Sequence, residues 1–120
     1  MLRKVITFCF SKGAKTASKA VHTPICIVGG GCGGVSIASQ LIRSKKFKAE
    51  DVRVFEPSAE HFYQPGWTMI GSGMVEKDFC VRPQESMWRF GNHLTAEAVT
   101  HINPDKNTIT TSSGGKWTYD

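Results

Sequence analysis

The chain has no CxxC pair, no apolar run approaching the width of a bilayer, and no acidic residue among its first 22 positions. Its cysteines, Cys9, Cys26, Cys32 and Cys80, fall at neither zinc-ligand nor disulfide-framework spacing. A structural metal is therefore not expected, and a reducing compartment fits the cysteine usage best. The longest apolar run near the start, "VITFCF", is shorter than the ~7–15-residue core of a secretory signal and far below the ~20 residues a spanning helix needs. Missing acid also explains the net charge of +5. Residues 1–22 hold five of the 15 Lys and Arg, whereas residues 23–120 hold ten basic and ten acidic residues and balance. The basicity belongs to the leader, so no nucleic-acid partner is expected for the rest.

What is present starts with that leader. "MLRKVITFCFSKGAKTASKAVH" spaces basic residues among apolar and hydroxyl residues, the pattern of an organellar transit peptide that forms a basic amphipathic helix. Residues 1–22 are accordingly expected to be a mitochondrial transit peptide. Residues 23–120 then make one small domain, since 120 residues support no more.

Along that domain, "PICIV" (24–28) is a short β-branched run that reads as a buried strand. From Val35 the period changes to 3.6. Val35, Ala38, Leu41 and Ile42 share one face, and Arg43, Lys45 and Lys46 follow at the C-terminal end of the helix. "DVRVFE" (51–56) is a second strand, which completes a strand–helix–strand crossover. Residues 57–92 show no regular period, although "WTMIGSGM" suits a short helix. "LTAEAVTHI" (94–102) alternates as a third strand, "NPDKN" is a turn, and "TITTSSGGKWTYD" reads as a hairpin around Ser-Gly-Gly.

Gly29-x-Gly31-x-x-Gly34 lies between the first strand and the helix. In that context the glycines have separate tasks. Gly29 permits the tight turn, Gly31 lets a pyrophosphate approach the backbone, and Gly34 lets helix and strand pack closely. Cys32 and Gly33 fall inside the same loop, where the expected contribution is backbone N–H and not side-chain chemistry. Glu56, 22 residues after Gly34 at the end of the second strand, is placed to accept hydrogen bonds from adenosine ribose hydroxyls and to repel a 2′-phosphate. The fold class is therefore α/β, a Rossmann-like dinucleotide-binding domain for FAD or NAD.

Read together, "IVGGGCGG", "EPSAEHFYQPGWTMIGSG" and "NPDKN" followed by a hairpin and "YD" resemble the N-terminal part of sulfide:quinone oxidoreductases, in particular the mitochondrial type. The match runs from about Pro24 to Asp120. The resemblance implies a truncated FAD-binding domain of the two-dinucleotide-binding flavoprotein type. The implied FAD contacts are Gly29, Gly31, Cys32, Gly33, Gly34 and Glu56, together with Gln64 in "HFYQP" and the Val99 backbone beside adenine. His61, Phe62 and Tyr63 can be read as an active-site cluster, but aromatic packing that fixes their loop is the expected role, and His93 and His101 are expected at strand ends.

Such enzymes oxidise hydrogen sulfide and pass two electrons through FAD to ubiquinone, with the sulfur held on a redox cysteine pair. None of Cys26, Cys32 or Cys80 matches that pair, and the family's quinone pocket and membrane-contacting C-terminal helices lie outside the matching region. The chain is therefore expected to be a fragment or a shortened form, inactive by itself, of an enzyme at the matrix side of the mitochondrial inner membrane. Two other readings stand beside it. One is a type II NADH:quinone dehydrogenase-like fragment, against which the "EHFYQPGWTM" loop argues. The other is a non-catalytic nucleotide-binding or interaction protein, motivated by the missing cysteine pair.

Overall fold

A computed structural model gives the fold and describes residues 20–88 and 94–120. Most of the expected leader, residues 1–19, and His93 lie outside the described residues. In chain order the strands and helices are β1 (Val21–His22), β2 (Ile25–Val28), α1 (Cys32–Arg43), β3 (Val52–Phe55), β4 (Glu60–Phe62), α2 (Trp67–Gly71), β5 (Val81–Pro83), β6 (Leu94–Thr95), β7 (Val99–Asn103), β8 (Thr108–Thr111) and β9 (Lys116–Thr118).

The strand–helix–strand unit reads as expected. β2 and β3 pair in parallel, Ile25 opposite Val52 through Val28 opposite Phe55, and α1 crosses over between them. Ile27, Val52 and Val54 from the strands and Ala38 from the helix form the buried cluster, with Leu41, Ile42 and Trp88 against it. Ala38, Leu41 and Ile42 of the apolar face read from the sequence are thus on the side that packs, because side chains at i, i+3 and i+4 share one side of a helix. The helix begins at Cys32, three residues before the first apolar position. Its first turn includes Gly33 and Gly34, which no hydrophobic period can reveal.

The stretch 94–102 is not one strand. β6 pairs in parallel with β3, whereas β7 joins a separate four-stranded sheet in the order β1-β9-β8-β7. Between them the Glu97 N–H donates to the Thr95 carbonyl at 2.8 Å, a tight bend that turns the chain out of one sheet and into the other. His101 consequently lies within β7, at a register shift opposite β8, and not at a strand end.

The turn and hairpin form as read. Asn103 Oδ1 accepts the Lys106 N–H at 3.1 Å, and Asn107 takes the left-handed conformation at φ 47°, which Asn tolerates. Val21 and His22 pair in parallel with Trp117 and Thr118, so the four-stranded sheet includes the residues just before the first long strand. That sheet reaches the three-stranded one through Trp117. Its ring meets Phe55 edge to face at 5.3 Å, with the Arg53 guanidinium 5.3 Å from its centroid.

Residues 57–88 hold a small antiparallel pair that the sequence did not announce, Glu60–Phe62 against Val81–Pro83. It positions the side chains described next. Among the described residues no helix is long and apolar enough to cross a membrane, and no group of three or more His, Cys, Asp or Glu could hold a metal ion.

Candidate functional site

β2 ends at Val28, and the backbone turns at Gly29, whose φ of +102° a side chain would strain. The Gly29 N–H donates to the Phe55 carbonyl at 2.9 Å and holds the turn against β3. A Cβ at Gly34 would lie 1.9 Å from the Gly29 carbonyl oxygen, so only glycine lets α1 begin that close to the turn. An added Cβ at Gly31 or Gly33 would meet nothing within 4 Å. The same holds at Gly29, so all three positions offer a ligand bare backbone. The first hydrogen bond of α1 runs from the Val35 N–H to the Gly31 carbonyl, which leaves the N–H groups before it unused by the helix. No side chain caps this end and no acid lies in its first turn, so its own N–H groups and partial positive charge are left to the cleft.

Glu56 follows β3 directly. Its Oε2 accepts the Gly30 N–H and its Oε1 accepts the Ser58 N–H, both at 2.8 Å. The glycine loop and the distant acid are therefore parts of one site. A carboxylate offers about four acceptor positions, so two remain for hydroxyl donors of a ligand. An open cleft of about 200 Å³ lies here, with Gly30, Gly31, Glu56, Ser58, His61 and Gln64 among its walls. Gln64, in the one-turn helix Gln64–Gly66 after β4, borders the cleft.

Val99 begins β7 opposite Thr111 and is not among the residues lining this cleft. Cys32, the first residue of α1, is exposed at the loop's rim. Its Sγ lies 3.7 Å from His61 Nε2 and 4.0 Å from the Phe62 carbonyl oxygen.

Three residues at the site carry more than the sequence suggested. His61 is 5% exposed and its Nδ1 lies 3.1 Å from the Gly30 carbonyl oxygen. That oxygen only accepts, so Nδ1 carries the proton, and in the neutral ring Nε2 is left as an acceptor toward Cys32. His61 thus fixes its loop by a hydrogen bond to the glycine turn, in addition to the ring contact of Phe62 with Trp67 at 5.9 Å. Gln84, 2% exposed, donates from Nε2 to the same Gly30 oxygen at 2.8 Å. Ser58 supplies the backbone N–H that holds the second Glu56 oxygen. Nothing local in the sequence flags Ser58 or Gln84, because each acts through a partner at least two residues and as many as 54 residues away.

The residues around the cleft carry the donor and acceptor chemistry that a diphosphate and a ribose call for. They offer unsubstituted backbone at Gly31 and Gly33, free N–H groups at a helix start, and a carboxylate on the adjacent strand.

No protein-family model matches the chain. The mitochondrial sulfide:quinone oxidoreductase of Mus musculus is 39% identical over 98 residues, which cover 82% of this chain and 21% of that protein. The mitochondrial sulfide:quinone oxidoreductase of Dictyostelium discoideum is 38% identical over 98 residues, covering 82% of this chain and 22% of that protein. The chain thus spans about a fifth of the length of these curated relatives. Among solved structures, the sulfide:quinone oxidoreductase of the hyperthermophilic bacterium Aquifex aeolicus superposes with a TM-score of 0.63 at 25% identity, over 84% of this chain and 23% of that one. NADH:rubredoxin oxidoreductase from Clostridium acetobutylicum (TM-score 0.56, 24% identity, 82% of this chain and 26% of that one) shares the fold. Over most of its length, this chain is a homologue of part of the mitochondrial sulfide:quinone oxidoreductases.

Proposed function

We propose that residues 23–120 form the FAD-binding part of a sulfide:quinone oxidoreductase, an enzyme that oxidises hydrogen sulfide and passes the electrons to ubiquinone in the mitochondrial inner membrane, from its matrix side. Residues 1–22 serve in this reading as the transit peptide, its last two residues, Val21 and His22, pairing with the four-stranded sheet while they are attached. The observation that carries it is the 2.8 Å hydrogen bond from the Gly30 N–H to Glu56 Oε2, which joins the phosphate-type loop and the ribose-type acid in one cleft. The curated relatives supply the reaction class and the mitochondrial naming.

In this site Gly31, Cys32, Gly33 and Gly34 present backbone N–H groups to the diphosphate, and Gly29 sets the turn that aims them. Glu56 accepts the adenosine ribose hydroxyls with its remaining lone pairs. Gln64 contacts the cofactor from the loop after β4, and the Val99 backbone runs beside adenine. FAD, when bound, supplies the two-electron redox chemistry. The chain spans about a fifth of these relatives, and in this reading it is inactive in sulfide oxidation by itself.

Thermal unfolding of the full chain with nucleotides tests the reading, since a ligand that binds only the folded state raises its midpoint. ADP, the half of FAD this cleft addresses, raises the midpoint in a concentration-dependent way. Adenosine 2′,5′-bisphosphate does not, because its 2′-phosphate meets Glu56. A chain indifferent to ADP contradicts the proposal.

A further inference from the structure

The Gly30 carbonyl is held from inside by two donors. Gln84 Nε2 lies 2.8 Å from it and His61 Nδ1 3.1 Å, and both side chains are buried. Both come from the small antiparallel unit that the sequence left as irregular. His61 sits in β4, and Gln84 follows β5 directly, with its own backbone N–H fixed on the Ala59 carbonyl at 2.8 Å. The inner side of the loop has no slack, for a Cβ on Gly30 would fall 2.2 Å from Gln84 Nε2.

The consequence lies one peptide on. No peptide bond among the described residues is cis. In a trans peptide the C=O of one residue and the N–H of the next point in opposite directions. Drawing the Gly30 oxygen inward therefore turns the Gly31 N–H outward, on the side where Gly31 has open space. That N–H has no partner among the described residues. A free loop peptide would flip between two orientations. This one is pinned by two buried donors on its carbonyl, while Glu56 holds the preceding N–H.

We propose that Gln84 is a positioning residue for diphosphate binding: together with His61 it locks the Gly30–Gly31 peptide so that the Gly31 N–H faces the diphosphate of the ligand. This deepens the FAD reading and rests on it. Gln84 borders the cleft, but its amide N–H is spent on the Gly30 oxygen; prior orientation of the Gly31 donor removes the cost of ordering it at the moment of binding, which is how a residue acting through another group changes affinity. Gln84 should accordingly matter for the phosphate-bearing part of a ligand and not for the nucleoside.

The test compares ADP with adenosine on the full chain, wild type against Gln84→Met, which keeps the length and bulk of the side chain and removes its donor. Calorimetric titration is expected to show ADP affinity lowered about three- to tenfold, the scale of one neutral hydrogen bond. Adenosine affinity stays within about twofold, since Glu56 is untouched. A loss shared equally by both ligands indicates a merely structural role and overturns the proposal, as does an unchanged ADP affinity.

Amide spectra of the wild-type chain give a second readout that does not depend on the variant folding. The Gly31 N–H resonance moves on adding ADP and stays in place with adenosine. Binding of ADP that leaves Gly31 unmoved overturns the inference while the functional reading stands. A wild-type chain that binds no ADP at all removes both.

Discussion

Gly30 and Glu56 are 26 residues apart in sequence, and the backbone N–H of the first donates to a carboxylate oxygen of the second at 2.8 Å. The contact ties the loop after β2 to the end of β3 before any ligand arrives. The carboxylate thus has a structural task as well as the recognition task its position suggested. Its two oxygens hold Gly30 on one side and Ser58 on the other, which keeps the mouth of the cleft in shape.

Neighbouring glycines in that loop should respond differently to the same substitution. Gly30→Ala places a Cβ 2.2 Å from Gln84 Nε2 and 2.8 Å from Glu56 Cβ. Overpacking of that kind costs about 1–3 kcal/mol. Gly31→Ala meets nothing within 4 Å and keeps an ordinary φ of −68°, so its stability stays within about 0.5 kcal/mol of wild type. Its new methyl instead occupies the space a diphosphate needs, and ADP binding falls. Denaturant unfolding and nucleotide titration of the two variants check this. Equal destabilisation of both contradicts the account.

The three cysteines among the described residues should separate in reactivity. Cys32 is exposed beside the His61 Nε2 acceptor, Cys80 is buried at 1% exposure, and burial pushes the Cys26 thiol up to about 11 although the Arg53 charge lowers it in part. Alkylation near neutral pH, followed by mass spectrometry, modifies Cys32 first, and ADP slows it because the thiol lies at the rim of the occupied loop. The Cys26 shift also sets an alkaline limit. Between its ordinary value of 9.0 and about 11 the unfolded chain releases this proton and the folded chain keeps it. The Cys26 contribution to stability is therefore complete below pH 9 and declines as pH rises through that window. Unfolding midpoints that rise between those pH values contradict it.

Trp117 should act as the main fastener between the two larger sheets. It contributes an edge-to-face contact with Phe55 and a cation–π contact with Arg53. Trp117→Ala removes both, at a cost of about 1–2 kcal/mol beyond the lost apolar burial. Chemical unfolding followed by circular dichroism measures the loss. A midpoint equal to wild type would show that the sheets are held by other contacts.

Residues 24–56 were legible in the sequence because two strong local signals agree there. A β-branched run gives way to a 3.6-residue period, and glycines mark the junction. "NPDKN" and the following hairpin were legible for a similar reason, since Asn103 and Asn107 have side chains suited to the turn they make. The division of 94–102 was not. Alternation of apolar and polar residues looks the same whether a strand continues or changes sheet, and the bend at Glu97 depends on a backbone bond to Thr95. β4 and β5 were hidden because three-residue strands containing Glu60, His61, Arg82 and Pro83 show no apolar alternation. Their purpose becomes visible only when His61 and Gln84 are seen on the Gly30 carbonyl. The Gly fingerprint and Glu56 were readable one by one, but the clamp beneath them is a tertiary fact.

Calorimetric titration of the full chain with ADP, wild type against Glu56→Ala, tests the central claim most directly. The account predicts measurable binding to wild type and a loss of about 1–3 kcal/mol in the variant, the scale for an ionised acceptor that holds ribose hydroxyls and steadies the glycine turn. Equal ADP affinity in the two proteins would contradict it.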